Sequence, residues 1–370
     1  MKTKITTIIG TRPEIIRMSE MIKRFDQVFD HRLIHTGQNF DKNLNDLFFE
    51  SMDIRKPDLA LSLDSSSLAS QLAKIFEAVE KDLIKNTPDA VVILGDTNSG
   101  LSAIIVKRMG IPVYHLEAGN RSFDINVPEE TNRKIIDHAS DFNLVYSESS
   151  RRNLLDEGLH PRHIGLIGSP MKEVIEANRM KIDASDILNV LRINEGTFIL
   201  VSVHRQENMN KKDRVDELFN SLNQLATTFE VPVIVTTHPR TRQVIEESQI
   251  TFDNRVRLLD PFDFYSYCKL QQKARIVLSD SGSLSEEAAI LGFKAITLRD
   301  SMERPEAMES GTVIMSGLNF NAIKEAILVV ETSKLNPSPP IEYQIEDSSE
   351  RTVRFIVSTL GRHNFWTGKR

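Results

Sequence analysis

The sequence predicts an α/β protein of two Rossmann-like, doubly wound halves, and three features carry that prediction. From residue 5 to about residue 170, short β-branched and apolar runs alternate with segments of helical periodicity, the rhythm of a parallel sheet wrapped by helices. A polar, helical stretch from Lys172 to about Asn194 carries no β-run and interrupts that rhythm. The rhythm then restarts at Thr197. At 370 residues, 40% of them hydrophobic, the chain is long enough to build two cores. The halves are expected at 1–170 and 196–345, joined by an interdomain crossover over 171–195 and followed by a C-terminal helix and tail over 346–370.

In the first half, Ile5 to Ile9 reads as a strand closed by Gly10-Thr11-Arg12-Pro13-Glu14, after which Ile15, Met18, Met21 and Ile22 recur at helical spacing. A glycine turn feeding a helix N-terminus offers free N–H groups to an anion, and Arg12 and Arg17 add charge. An ordinary βα turn with a surface arginine reads nearly the same. Arg32 to Gln38 is a second strand leaving His35, Gln38 and Asn39 at its exit. Leu68, Leu72, Ile75, Val79 and Leu83 mark an amphipathic helix, and Ala90 to Leu94 the next strand. That strand stops at Gly95-Asp96-Thr97-Asn98-Ser99, so Asp96 stands at its carboxyl end, although all four polar residues also serve as helix caps.

The strand Ile111 to Tyr114 leads into the most informative stretch, His115 to Arg133. Glu117 lies just past the strand, where open α/β sheets put their ligands. Glu129 and Glu130 follow, with Arg121 and Arg133 positioned to orient the acids or hold an anion, a set suited to proton transfer beside a bound anion. Pro128 at the first helical position with acids after it also suits a plain helix start. Two acids at neighbouring strand ends favour chemistry. Strands at Asp141–Tyr146 and His163–Ile167 flank a helix at Ser149–Glu157 and complete this half.

The second half opens with the strand Thr197 to Val203, ending at His204-Arg205, where the histidine serves proton transfer, a phosphate contact or only a backbone hydrogen bond. A helix over Val215–Phe229 and a strand over Val231–Thr237 lead to His238, read as structural. After the strand Arg255–Leu259, Pro261 to Tyr267 reads as a loop whose aromatic rings serve core packing more readily than a base-binding surface. The strand Ala274–Leu278 ends in Ser279-Asp280-Ser281-Gly282-Ser283 before a helix at Leu284–Leu291, an anion seat built of hydroxyls and helix N–H groups. Glu286 and Glu287 lie a turn further on, placed to accept ribose hydroxyls. Arg304 and Glu306 stand in a polar loop after one more strand, Ala295–Leu298; residues 335–345 form a linker and Ser349–Leu360 a last helix.

A net charge of -6 argues against a nucleic-acid partner. Cys268 is the single cysteine, which excludes an intrachain disulfide and a cysteine metal cluster and suits a reducing compartment. The N-terminal run is too short for a signal peptide and no apolar segment has membrane length, so a cytoplasmic protein is expected. Without a dinucleotide fingerprint or metal cluster, hydride and metal chemistry are disfavoured. The arrangement points to a nucleotide-sugar enzyme, with a glycosyltransferase as its rival.

GTRPE at 10–14, GDT at 95–97, HLEAG at 115–119, PEETNR at 128–133, HR at 204–205, DSGS at 280–283 with EE at 286–287, and ERPEA at 303–307 together resemble the non-hydrolysing UDP-N-acetylglucosamine 2-epimerases, in order and over nearly the full length. The resemblance implies the GT-B fold with its site in the cleft between two Rossmann-like domains, the C-terminal one binding UDP. It also implies a homodimer, no cofactor and no metal, and reversible inversion at C2 of a UDP-sugar through elimination of UDP, a 2-acetamidoglucal and re-addition. On that resemblance Asp96, Glu117 and Glu129 are acid/base candidates and His204 assists. Arg12, Arg17, Arg133 and Arg304 serve the site or the diphosphate, Ser281, Gly282 and Ser283 form the phosphate seat, and Glu287 takes the ribose. Arg17 stands where the family's motif has lysine, which keeps the charge and changes the geometry.

Other departures bear on the substrate. The family commonly reads EAGLR with a loop two residues longer before its PEE, whereas this chain has Glu117-Ala-Gly-Asn120-Arg121. With Gly95-Asp-Thr-Asn-Ser and Gly168-Ser-Pro-Met, these variants are similar to the branch that makes UDP-N-acetyl-L-fucosamine from a 6-deoxy talose precursor. A glutamine-glycine segment that helps hold a second, activating UDP-sugar is not evident around Ser65 to Gln71. A 6-deoxy substrate without that activator is expected.

Overall fold

A computed structural model describes residues 2–38, 49–63, 67–209, 211–237, 239–248, 250–334 and 337–368. Asn39, Ser65 and His238, and the start of the 335–345 linker, lie outside the described residues. The chain divides into two compact units, 1–174 with 342–370, and 175–341.

The first unit is a parallel seven-stranded sheet of β1 (Lys4–Ile9), β2 (Asp30–His35), β3 (Leu59–Ala60), β4 (Ala90–Leu94), β5 (Val113–Leu116), β6 (Phe142–Val145) and β7 (Ile164–Leu166), ordered β3-β2-β1-β4-β5-β6-β7. All five residues of β4 are buried, as a central parallel strand covered on both faces requires. On one face Ile8, Ile34, Val91, Ile93 and Val113 pack against Ile75, Val79 and Leu83 of the helix Leu68–Lys85, with Val106 and Ile136 beside them. Each such fully buried side chain contributes roughly 1.5–3 kcal/mol. Burial, rather than helix propensity, thus holds these helices in place.

The second unit is a parallel six-stranded sheet of β8 (Ile199–Ser202), β9 (Val233–Thr236), β10 (Val256–Leu259), β11 (Ile276–Ser279), β12 (Ala295–Thr297) and β13 (Val313–Met315), ordered β10-β9-β8-β11-β12-β13. Leu218, Leu222, Leu225, Ile323 and Ile327 cover one face, and Leu270, Leu284 and Ala288 the other. Three short helices, Met171–Ala177, Arg179–Asp183 and Ile187–Leu191, occupy the stretch read as a crossover, and Ile187, Leu188 and Leu191 pack against the core of the second unit.

Residues 342–370 return to the first unit. The helix Ser348–Thr359 packs on the helix Arg12–Val28, with Arg24 Nε 2.9 Å from Glu350 Oε2 and Tyr114 Oη 2.8 Å from Thr359 Oγ1. Gly168 makes room for this return: its φ is +78°, and a Cβ there would stand 2.8 Å from the Glu342 carbonyl oxygen and 2.7 Å from Ile345 Cβ.

Three readings differ from these elements. The stretch Pro261–Tyr267 is not a loop throughout, because Asp263 accepts from Tyr265 N at 2.9 Å and Ser266 N at 3.0 Å and so caps the helix Phe264–Lys273. The polar loop after Leu298 contains a short helix, Pro305–Glu309. The sequence signal also passed over β3, β13 and the helix Phe320–Thr332; the two strands have two and three residues, too few to show a period.

In both sheets the strand order reverses once, between β1 and β4 and between β8 and β11. Open α/β sheets bind ligands in the crevice at the carboxyl ends of such a strand pair.

Candidate active site

At the β1/β4 reversal, Gly10 follows one strand and Gly95-Asp96 the other. Gly10 lies too close to the Ser99 and Thr36 hydroxyls to carry a Cβ, which would stand 1.9 and 2.3 Å from their oxygens. Glu14, 4% exposed, accepts from Gly10 N at 2.5 Å and Thr11 N at 3.3 Å, folding the turn onto the start of the helix Arg12–Val28. Burial raises the pKa of Glu14 to about 7 against the lowering effect of those bonds and of the Thr97 and Thr11 hydroxyls. At the end of β2, burial pushes His35 down to about 4 and leaves it neutral near pH 7, with Nδ1 accepting from Gly37 N at 3.2 Å.

Asp96 keeps its carboxylate 27% exposed and accepts from Arg133 Nε at 2.7 Å. It is not a helix cap: the short 3-10 turn Gly100–Ser102 starts after Ser99. Glu117, with its side chain 18% exposed, lies past the end of β5, 3.5 Å from Arg17 Nη1 and 3.4 Å from Asn120 Nδ2. Its φ of +65° is in the left-handed region, costly for a residue with a Cβ and kept only where the surroundings fix it. Arg133 also reaches Glu130 Oε2 at 3.0 Å, and Glu130 accepts from Ser122 N at 2.9 Å.

Arg121 departs from its expected place. It is buried, with Nη1 2.7 Å from Asp137 Oδ2 and both Nε and Nη2 2.7 Å from the Glu157 carboxylate. It therefore neither orients Glu129 or Glu130 nor faces a bound anion. The guanidinium holds Glu157 down at about 2. Asp137 further accepts from Gly119 N at 3.2 Å and pairs with His115 Nδ1 at 2.8 Å, beneath the Glu117 turn.

At the β8/β11 reversal the buried Asp280 accepts from His204 N at 3.1 Å, Arg205 N at 3.0 Å and Asn208 Nδ2 at 3.0 Å, tying the two turns together. The His204 side chain remains 51% exposed, its Nδ1 3.4 Å from Asp280 Oδ1. Ser281 and Ser283 join their hydroxyls at 2.9 Å before the helix Leu284–Leu291. Arg304 Nη1 pairs with buried Glu286 at 2.6 Å and donates to the Gly282 carbonyl. Glu303 accepts from Arg299 Nη2 at 2.9 Å and pairs with Arg205 Nη1 at 3.2 Å. Ser281, Gly282, Ser285, Arg299, Glu303 and Arg304 line a small pocket. Glu287 accepts from Gln271 Nε2 at 2.6 Å.

Of the expected site residues, the fold joins Asp96 to Arg133, Glu117 to Arg17, and Arg304 to the Ser281-Gly282-Ser283 turn. Arg12 lies half-buried at the first position of its helix, and Glu129 half-buried in the first turn of the helix Pro128–Ala139. Sequence reasoning missed Glu14, Asp137, Glu157 and Glu303. The spacing Thr11-x-x-Glu14 was a signal for the first; Asp137 and Glu157 act through partners distant in sequence, and Glu303 joins nearby Arg299 to distant Arg205. Among the described residues no group of His, Cys, Asp and Glu forms a metal site, and no helix is long and apolar enough to cross a membrane.

The chain is similar to known proteins over most of its length. The sequence model of the family described as UDP-N-acetylglucosamine 2-epimerase matches residues 22–357. A solved UDP-N-acetylglucosamine 2-epimerase from Rickettsia bellii is 40% identical, with a TM-score of 0.92 and 98% of each chain covered. The Methanocaldococcus jannaschii UDP-GlcNAc 2-epimerase, solved in complex with UDP-GlcNAc and UDP, is 32% identical with a TM-score of 0.90, covering 96% of this chain and all of that one. The UDP-2,3-diacetamido-2,3-dideoxy-D-glucuronate 2-epimerase of Pseudomonas aeruginosa is 31% identical over 87% of this chain and 91% of its own. With two Rossmann-like units of the GT-B class and a match over most of its length, this chain is an isomerase of the UDP-N-acetylglucosamine 2-epimerase family.

Proposed function

We propose that this enzyme inverts C2 of a UDP-N-acetylhexosamine by eliminating UDP and adding it back. A carboxylate takes the C2 proton, the C2–H electron pair becomes the C1=C2 double bond, and UDP leaves with the electron pair of the C1–O bond. Return of a proton to the opposite face of C2 and of UDP to C1 completes the inversion. The C2 proton is weakly acidic, so its removal has to be coupled to departure of a well-stabilised leaving group. The observation that carries this reading is the pair of partly exposed carboxylates, Asp96 and Glu117, at the ends of neighbouring strands and each beside a buried arginine.

Asp96, Glu117 and Glu129 are the acid/base groups, and His204 assists at the phosphate or in proton transfer. Ser281, Gly282, Ser283 and Arg304 hold the diphosphate and Glu287 the ribose, while Arg12, Arg17 and Arg133 support the carboxylates or the diphosphate. Arg304 is already ordered by buried Glu286, so little side-chain freedom is lost when an anion binds. The family resemblance supports a homodimer that needs no cofactor, and the single cysteine suits the reducing cytoplasm.

The substrate we propose is the 6-deoxy talose nucleotide that yields UDP-N-acetyl-L-fucosamine, without activation by a second UDP-sugar. The Asn120-Arg121 variant, the shortened loop before Pro128 and the Gly168-Ser-Pro-Met turn support it. Overall identity does not decide, because the P. aeruginosa relative, named for a diacetamido uronate, is as similar as the M. jannaschii enzyme solved with UDP-GlcNAc. Proton NMR in D2O with each nucleotide separately tests both levels. Inversion and deuterium uptake at C2 of the 6-deoxy compound alone are expected. Inversion of UDP-N-acetylglucosamine instead reassigns the substrate and keeps the mechanism, and no exchange on either defeats the mechanism.

A further inference from the structure

His115, at the third position of β5, is 1% exposed, and both its ring nitrogens face oxygens that accept hydrogen bonds. Nδ1 lies 2.8 Å from Asp137 Oδ1 and Nε2 2.8 Å from the Gly95 carbonyl oxygen. A neutral imidazole has one N–H and one lone pair, so either tautomer would set a lone pair against one of these oxygens. Asp137 is committed as a carboxylate, since it accepts from Arg121 Nη1 at 2.7 Å and Gly119 N at 3.2 Å. We infer that His115 donates from both ring nitrogens, as an imidazolium, and is a positioning residue that ties the Asp96 turn to the Glu117 turn through their backbones. The inference rests on the proton-transfer roles proposed for Asp96 and Glu117.

The tie reaches both turns. Gly95 immediately precedes Asp96, has a φ of +69°, and has its carbonyl fixed by Nε2. On the other side Asp137 grips Gly119, whose φ is +81°, two residues beyond the strained Glu117. Arg121 extends the grip by donating to the Asn120 carbonyl at 2.7 Å and to Glu157, which also takes His138 Nε2 at 2.9 Å. The charged groups in this network are Asp137 and Glu157 against Arg121, His115 and, when protonated, the more exposed His138. A left-handed Glu117 persists only because its neighbours over-determine it. The His115–Asp137–Arg121 chain supplies that constraint by holding the backbone at Gly95, Gly119 and Asn120.

The test uses the full-length enzyme labelled with 15N-histidine, with His115 assigned by its loss in His115→Gln. Both ring nitrogens are expected to give the protonated signature, with slowly exchanging N–H protons. Neutron diffraction on the wild type gives the same answer without a variant. In Asp137→Asn the imidazolium signature should disappear and kcat fall about 100-fold at nearly unchanged KM, the cost of misplacing catalytic groups by a fraction of their contact distance. A wild-type His115 with one bare ring nitrogen overturns the tie, as does wild-type kcat in Asp137→Asn. Full turnover in both Asp96→Asn and Glu117→Gln overturns the positioning role by removing what is positioned; an intact imidazolium signal distinguishes that failure from failure of the tie.

Discussion

The two units share a sheet order and a single reversal, but their strand-end turns are built from opposite materials. Beyond β4 and β5 the turns present carboxylates, Asp96 and Glu117, with the cations Arg133 and Arg17 buried behind them. Beyond β8 and β11 they present hydroxyls, a helix start and an exposed imidazole, with arginines held by the buried acids Glu286 and Glu303. In each unit a buried partner of opposite sign holds the ionic side chain in place. The first unit offers negative charge suited to moving protons. The second offers hydroxyls and helix N–H groups, the kind of donors that suit the diphosphate seat proposed there.

That contrast breaks most visibly at Glu117. Glu117→Gln keeps shape and removes the acid/base function, so kcat should fall by about 10²–10⁴-fold. Binding of UDP, measured by calorimetry, should stay at its wild-type value because the second unit is untouched. Undiminished turnover would remove Glu117 from the mechanism, and lost UDP binding would show that the two turns do not divide the work.

Glu14 lies below the same turns and tests the first unit through pH. Its folded pKa, about 7, lies above its ordinary value of 4.5, so the unfolded chain gives up this proton first. The stability it contributes is complete below 4.5 and is lost as pH rises to about 7, by up to about 3 kcal/mol for a fully buried group. Glu14→Gln should flatten that part of the stability profile, read as the difference in urea midpoints between variant and wild type across the window. Parallel profiles would mean that Glu14 does not titrate there.

In the second unit the corresponding change is milder. Ser281→Ala removes one hydroxyl from a seat that also has Ser283, Arg304 and helix N–H groups, and a hydrogen bond to a charged group is worth about 1.5–3 kcal/mol. KM should rise by roughly tenfold to a hundredfold with kcat little changed. A fall in kcat at constant KM would place this hydroxyl in the chemical step instead.

Legibility in the sequence followed the same division. Central parallel strands are nearly continuous apolar runs, so β1, β4, β5, β8 and β11 could be read directly, and whatever polar residue ended each run was placed at the binding edge of the sheet. That located Asp96, Glu117, His204 and Ser281. It could not say which charge pairs with which. Arg121 pairs with Asp137, 16 residues away, and Glu157, 36 residues away, across helices whose packing no local pattern specifies. The pairing of Arg304 with Glu286 depends equally on tertiary context. Glu14 is the instructive exception, because its role was local and written in the capping spacing.

The smallest expected effect concerns Arg17, where the family motif carries lysine. Its guanidinium stands 3.5 Å from Glu117, longer than the 2.7–2.9 Å of a charge-assisted hydrogen bond. At that distance the contribution to Glu117 is mainly the nearby positive charge, which an ammonium also supplies. Arg17→Lys should therefore leave kcat within about tenfold of wild type, while Arg17→Met, which removes the charge, should cost more. Equal losses in the two variants, measured side by side with the preferred nucleotide, would show that the planar guanidinium itself is required. The arginine would then belong to substrate recognition rather than to the charge balance that separates the two units.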